Sequence, residues 1–158
     1  MIKVEGFLLA LTERLSQRIK TQREKVDISV RGIGQAETKI KHKIQAVVRS
    51  RVSPFSQAMN FLVLPNVTVH LPTATMRTNG WSIPPGIKLA DPAFFESSRV
   101  DLVLGIECFF DVFETGQRIN LGNQLPTLNQ SVFGWVVCGG SFNSHQDLHI
   151  TCNASATE

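Results

Sequence analysis

Long apolar runs are missing from this chain of 158 residues. The longest uninterrupted runs, such as residues 7–11 and 61–64, reach only four or five residues, where a membrane-spanning helix needs ~20. Residues 7–11 also fall short of the ~7–15-residue core of a secretory signal, and no small-residue cleavage site follows them. These absences argue for an intracellular, cytoplasmic protein with no membrane partner. Cysteine is scarce: Cys108, Cys138 and Cys152 are widely spaced and odd in number, which excludes a disulfide framework and fits free thiols in a reducing compartment. Only His145, His149 and Cys152 come close together. Metal sites usually show two tight ligand pairs, so this cluster reads as part of a polar tail, and no metal or cofactor is expected. No Gly-x-Ser-x-Gly nucleophile elbow is found.

What is present is enough for one domain. Hydrophobic residues make up 42% of the chain, ordinary for a globular protein and too many for a disordered one. The net charge of +3 hides an asymmetry: residues 1–51 carry 12 Lys/Arg against 5 Asp/Glu, and residues 52–158 carry 4 against 8. A basic half can mark a nucleic-acid surface. Here, however, the basic residues alternate with apolar ones, as in Lys39-Ile40-Lys41-His42-Lys43-Ile44, which is the pattern of the wet face of a half-buried strand. No aromatic residues interleave to stack bases, so a nucleic-acid partner is disfavoured.

Periodicity gives a mainly β reading. Leu8, Leu11, Leu15 and Ile19 share one helical face, predicting a helix over residues 7–20; Thr12 could also cap a shorter helix starting there. Val26, Ile28 and Val30, then Ile40, His42, Ile44, Ala46 and Val48, alternate on either side of Gly32-Ile33-Gly34, predicting a β-hairpin. Strands are expected at 61–64, 67–71, 100–104 and 132–138, a loop anchored by Trp81 over 72–86, a short buried helix over 106–113, and a loop over 116–130. Short strands separated by turns argue for an all-β domain or a small barrel.

Four segments, in order, go further. They are Thr12-Glu13-Arg14-Leu15 with Ile19; Val26 to Gly34; Leu89-Ala90-Asp91-Pro92 with Val100-Asp101-Leu102-Val103-Leu104-Gly105; and Phe133-Gly134-Trp135-Val136-Val137-Cys138-Gly139. Together they resemble the retropepsin-like aspartic peptidase domain of Bel/Pao-type retrotransposon polyproteins. The resemblance covers residues 12–139. It implies a small closed β-barrel with one or two short helices, incomplete at its N-terminal part. The domain would span residues 12–140, after a non-matching segment 1–11 and before a polar tail 141–158. It further implies a flap that covers bound peptide, with Gly32, Ile33 and Gly34 at its tip. Leu104 and Gly105 would form the turn under the active-site loop, and the partners would be a peptide and a second subunit, as in retropepsins.

The departure from the family is as informative. Such peptidases carry an Asp-Ser-Gly or Asp-Thr-Gly loop just ahead of the first of these segments, and neither triplet occurs in these 158 residues. Glu5-Gly6 stands near that place, and Gly105-Ile106-Glu107 replaces the family's Gly-Ala-Asp. The chemistry requires two carboxylates sharing one proton to activate a water. Glu114-Thr115-Gly116 mimics the triplet but falls after the expected short helix and reads as a surface turn. Asp91, Asp101, Glu107 and Asp111 likewise read as turn or surface residues. The expectation is therefore an aspartic endopeptidase domain of the polyprotein-processing kind, here a catalytically inactive fragment with no catalytic residue assigned. The alternative is a domesticated module that uses the same fold to bind peptide or nucleic acid.

Overall fold

The computed structural model describes residues 9–31 and 37–139. Its N-terminal part shows a helix losing to a strand. Residues 7–20 have helical spacing, yet Ala10–Thr12 forms a strand (β1) and only Glu13–Ile19 is helical (α1). Ala10 and Leu11 are fully buried because they lie between two other strands, and that burial outweighs local periodicity. The switch happens at Thr12. Its backbone is extended (φ −74°, ψ 151°), and its Oγ1 accepts a hydrogen bond from Leu15 N at 3.2 Å, an N-cap that satisfies one of the orphan donors of the first turn. Glu13 in the first turn and Arg18 in the last complement the helix dipole.

The expected hairpin is present. Arg23–Arg31 (β2) pairs antiparallel with Glu37–Arg49 (β3), with a register shift between Lys25 and Ile28. The alternation holds: Ile40 and Ile44 are 1% exposed, while Lys39 and Lys41 face solvent. Ser56–Leu64 (β4) pairs antiparallel with β3, placing Phe61 opposite Ile44 and Met59 opposite Ala46 on the core face. β1 then lies parallel to β4 and antiparallel to Leu102–Val103 (β5). The five-stranded sheet runs β2-β3-β4-β1-β5.

Residues 65–101 cross back to β1 with almost no regular structure. The strand expected at 67–71 does not form. Its alternating residues find no sheet edge to cover: Val69 is 56% exposed, and only Leu71 makes a single bridge, to Ser98. Trp81 does anchor this segment, stacked on Phe94 with ring centroids 5.6 Å apart. The loop expected over 116–130 is corrected as well. Phe113–Asn120 (β6), Thr127–Ser131 (β7) and Gly134–Cys138 (β8) form a three-stranded meander. Its polar composition hides the strands, because Arg118, Asn129 and Gln130 pair through backbone while Leu128 alone is fully buried.

The fold is mainly β, but the expected closed barrel is not formed by the described residues. The two sheets meet by packing rather than by a continuous ladder. Phe55 and Phe133 touch edge to face at 5.4 Å. The carbonyl of Val132 accepts from Ser50 Oγ (2.6 Å) and Ser53 Oγ (2.7 Å), and its N–H donates to Val112 O at 2.8 Å. Leu11, Ile44, Met59, Phe61 and Val63 form one core with Cys108 and Val112. Gly134 also fixes the return of the 65–101 crossing. Lys88 O accepts from Trp135 N and Trp135 O accepts from Ala90 N, both at 2.9 Å. Gly134 has φ +110°, and a Cβ there would sit 2.7 Å from Lys88 O, an approach only glycine permits. Among the described residues, no helix is long and apolar enough to cross a membrane.

Candidate functional site

The pairing of β5 with β1 sets where the site lies. Val103 faces Ala10 and Leu102 faces Leu11, so Leu104 and Gly105 run on past the N-terminal end of β1. The start of this turn is pinned by Asp101. Its backbone carbonyl accepts from Thr12 N at 2.9 Å, and its Oδ1 accepts from Thr12 Oγ1 at 2.7 Å and from Arg14 Nε at 3.2 Å. The Arg14 guanidinium closes a second contact on Oδ2. The Thr12 hydroxyl thus donates to Asp101 while it caps α1, using both sides of one oxygen. Partial burial pushes the Asp101 carboxyl up, but the hydrogen bonds from Thr12 and Arg14 and the charges of Arg14 and Arg99 more than offset it, and the group sits below its ordinary range.

Beyond Gly105 the chain turns through a 3-10 segment, Ile106–Cys108, into a short helix, Phe109–Val112 (α2). The helix expected over 106–113 is present, but it is not buried. Such an element presents one stripe to the core, and Cys108 and Val112, four apart, fill it with 5% and 8% exposure. The remaining apolar residues are left outside: Ile106 is 61%, Phe109 48% and Phe110 84% exposed. A cavity of about 340 Å³ opens here, lined by Leu104, Gly105, Ile106, Phe109 and Phe113 together with the buried Cys108 and Val112. The Phe109 and Phe113 rings lie 4.8 Å apart and Phe110 packs edge-on to Phe109 at 5.5 Å. Burial, reinforced by the charges of Glu107 and Asp111, pushes the Cys108 thiol up. Such a shift disfavours the thiolate, the nucleophilic form of the group.

The structure brings Leu104 and Gly105 into this cavity. The flap-tip residues Gly32, Ile33 and Gly34 lie outside the described residues, as do Glu5-Gly6 and the His145, His149 and Cys152 cluster. Among the described residues, no group of three or more His, Cys, Asp or Glu could hold a metal ion. Glu114-Thr115-Gly116 lies within β6 and not in a turn. Asp91 accepts from Ala93 N at 2.9 Å, closing a local turn. Glu107 and Asp111 are exposed, as expected of surface residues, whereas Asp101 is half-buried and held by Thr12 and Arg14.

A second, wider hollow of about 680 Å³ lies along β2 and β3, lined by Arg23, Lys25, Lys43, Gln45 and Asn60 among others. Two of its cations are already occupied: Arg23 pairs with Glu13 at 2.5 Å and Lys43 with Glu24 at 3.0 Å. The hydrogen bond from Arg23 holds the Glu13 carboxyl below its ordinary range. Of the alternating Lys39, Lys41 and Lys43, Lys43 alone borders this hollow.

Sequence reasoning missed the outward phenylalanines. A signal was available: a helix of two turns that is apolar on nearly all sides cannot bury every side. Comparison with known proteins adds no further guide, since no family model, no curated protein and no solved structure matches this chain.

Proposed function

We propose that this chain is a retropepsin-like domain of the Bel/Pao retrotransposon type and that its 158 residues do not hydrolyse peptides. The observation that carries the reading is the placement of Leu104-Gly105 beside the N-terminal end of β1, the strand held between β4 and β5. Thr12 at the far end of β1 caps the helix that follows. That arrangement suits the order of segments expected for such a peptidase. The two-sheet architecture tempers the reading, since the smaller sheet packs against the larger without closing a barrel. What removes activity is chemical: no Asp-Ser-Gly or Asp-Thr-Gly occurs in these residues, so the proton-sharing carboxylate pair has no source.

The test is an assay of the purified chain against a broad pool of quenched fluorescent peptides between about pH 4 and pH 7, with and without pepstatin. No turnover above buffer is expected. Pepstatin-sensitive cleavage that persists in Glu114→Gln would overturn the proposal, and cleavage abolished by Glu114→Gln would reassign the chemistry to the β6 triplet. The alternative, a binding module on this fold, gains support from the exposed aromatic surface of α2.

A further inference from the structure

The surface over residues 104–113 combines three properties that meet nowhere else among the described residues. Three large apolar side chains, Ile106, Phe109 and Phe110, are exposed within five residues of one segment, whereas soluble monomers rarely leave such groups together in water. The Phe109 ring lies between Phe113 and Phe110 in ring contacts at 4.8 and 5.5 Å, which reduces the rotamer freedom that ring has to lose on binding. Next to them the cavity of about 340 Å³ stands at the small end of ligand sites, which run from about 300 Å³ upward, and suits one bulky side chain.

The third property is charge. Glu107 and Asp111 are exposed on the same short helical segment, four residues apart, and neither makes a hydrogen bond or ion pair among the described residues. Like charges this close along one short segment repel, a cost that a cation placed between them removes. The same cation could rest on the Phe109 or Phe110 ring face, where ammonium and guanidinium groups are attracted by the ring quadrupole. Glu107 and Asp111 do not line the cavity, but they adjoin its lining residues Ile106, Cys108 and Val112 along the chain, and acidic groups beside an apolar cavity select against acidic partners and in favour of basic ones.

We propose that this surface docks a protein segment in which a bulky aliphatic or aromatic residue is flanked by lysine or arginine. The anchor fills the cavity between Leu104 and Phe113, and the flanking cations meet Glu107 and Asp111. The proposal stands on the α2 surface alone and holds whether or not the domain is a relative of retropepsins.

The experiment uses the full 158-residue chain. Fluorescein-labelled hexapeptides with a central Leu, Phe or Trp and either Lys/Arg or Glu flanks are titrated with the protein, and anisotropy is read at low and at moderate salt. At least one basic peptide is expected to bind, with affinity falling as salt rises, and no acidic one. Phe110→Ser should weaken that binding by about tenfold or more, the scale of losing an exposed aromatic anchor. Glu107→Gln with Asp111→Asn should weaken it and flatten the salt dependence. All three positions are exposed, and an unchanged melting curve verifies that the variants fold. Equal binding of basic and acidic peptides, binding untouched by Phe110→Ser, or no binding by any peptide overturns the proposal. A concentration-dependent dimer lost in Phe110→Ser, with no peptide bound, would assign the surface to a second copy and overturn it too.

Discussion

β3 and residues 104–113 carry similar numbers of apolar side chains and treat them in opposite ways. In β3 the period of two sends Ile40, Ile44, Ala46 and Val48 inward and the lysines outward, so that of its apolar residues Val47 alone is left largely in water. In the 104–113 turn Leu104 and Phe113 pack partly against the core at either end, the helical period between them buries only Cys108 and Val112, and three large apolar residues remain in water. A strand can hide every second residue, but a two-turn helix hides one stripe. Surplus apolar surface at such an element is retained for something other than stability of the isolated chain.

That contrast can be tested by substitution, beginning inside the sheet. Phe61→Ala removes the largest side chain of the core, fully buried opposite Ile44, and should cost about 3–5 kcal/mol by urea denaturation. A loss near zero would mean that the five-stranded sheet does not carry the core. Gly134→Ala tests the crossing: a side chain at φ +110°, pressed on Lys88 O, should cost about 2 kcal/mol, read as a lowered denaturation midpoint. Asp101→Asn tests the pin that sets the start of the turn, and about 1 kcal/mol is expected because Arg14 is half exposed.

The Asp101 effect should also depend on pH. Its carboxyl is depressed in the folded chain from an ordinary value of 3.8, so its stabilisation is present in full above that value and is lost as pH falls through the lower folded value. The difference between wild type and Asp101→Asn should therefore vanish in strong acid, and a difference that grew there would reverse the assignment. The smallest effect belongs to the outward surface. Phe110→Ser should change stability by less than about 0.5 kcal/mol while raising solubility in a precipitation assay. A large loss would mean that Phe110 packs on something after all.

How legible each part was follows from the same periods. The β2–β3 hairpin was readable because alternation over a long pair of strands has no competitor. The helix at Glu13–Ile19 was readable through the Thr12 cap, but its start was misplaced because the burial of Ala10 and Leu11 depends on strands some fifty and ninety residues away. β6 and β7 were hidden since their pairing is carried by backbone under polar side chains such as Arg118 and Asn129. The residues 67–71 alternate like a strand yet find no edge to join. At the site, Leu104 and Gly105 were placed by resemblance, while the exposure of Phe109 and Phe110 was not anticipated.

The position of β1 has a consequence for how the protein is made. This three-residue strand is held between β4 and β5, and its partner Val103 is synthesised more than ninety residues after Ala10. The β2–β3–β4 ribbon can assemble as soon as it emerges from the ribosome, but the segment at its side stays unsealed until the chain has grown past Val103. Contacts so distant in sequence form late and slowly, and an unpaired edge during that wait is open to association with other nascent chains. Chaperone demand during synthesis should thus track the time needed to translate residues 65–101, the stretch that contributes least to the finished sheets.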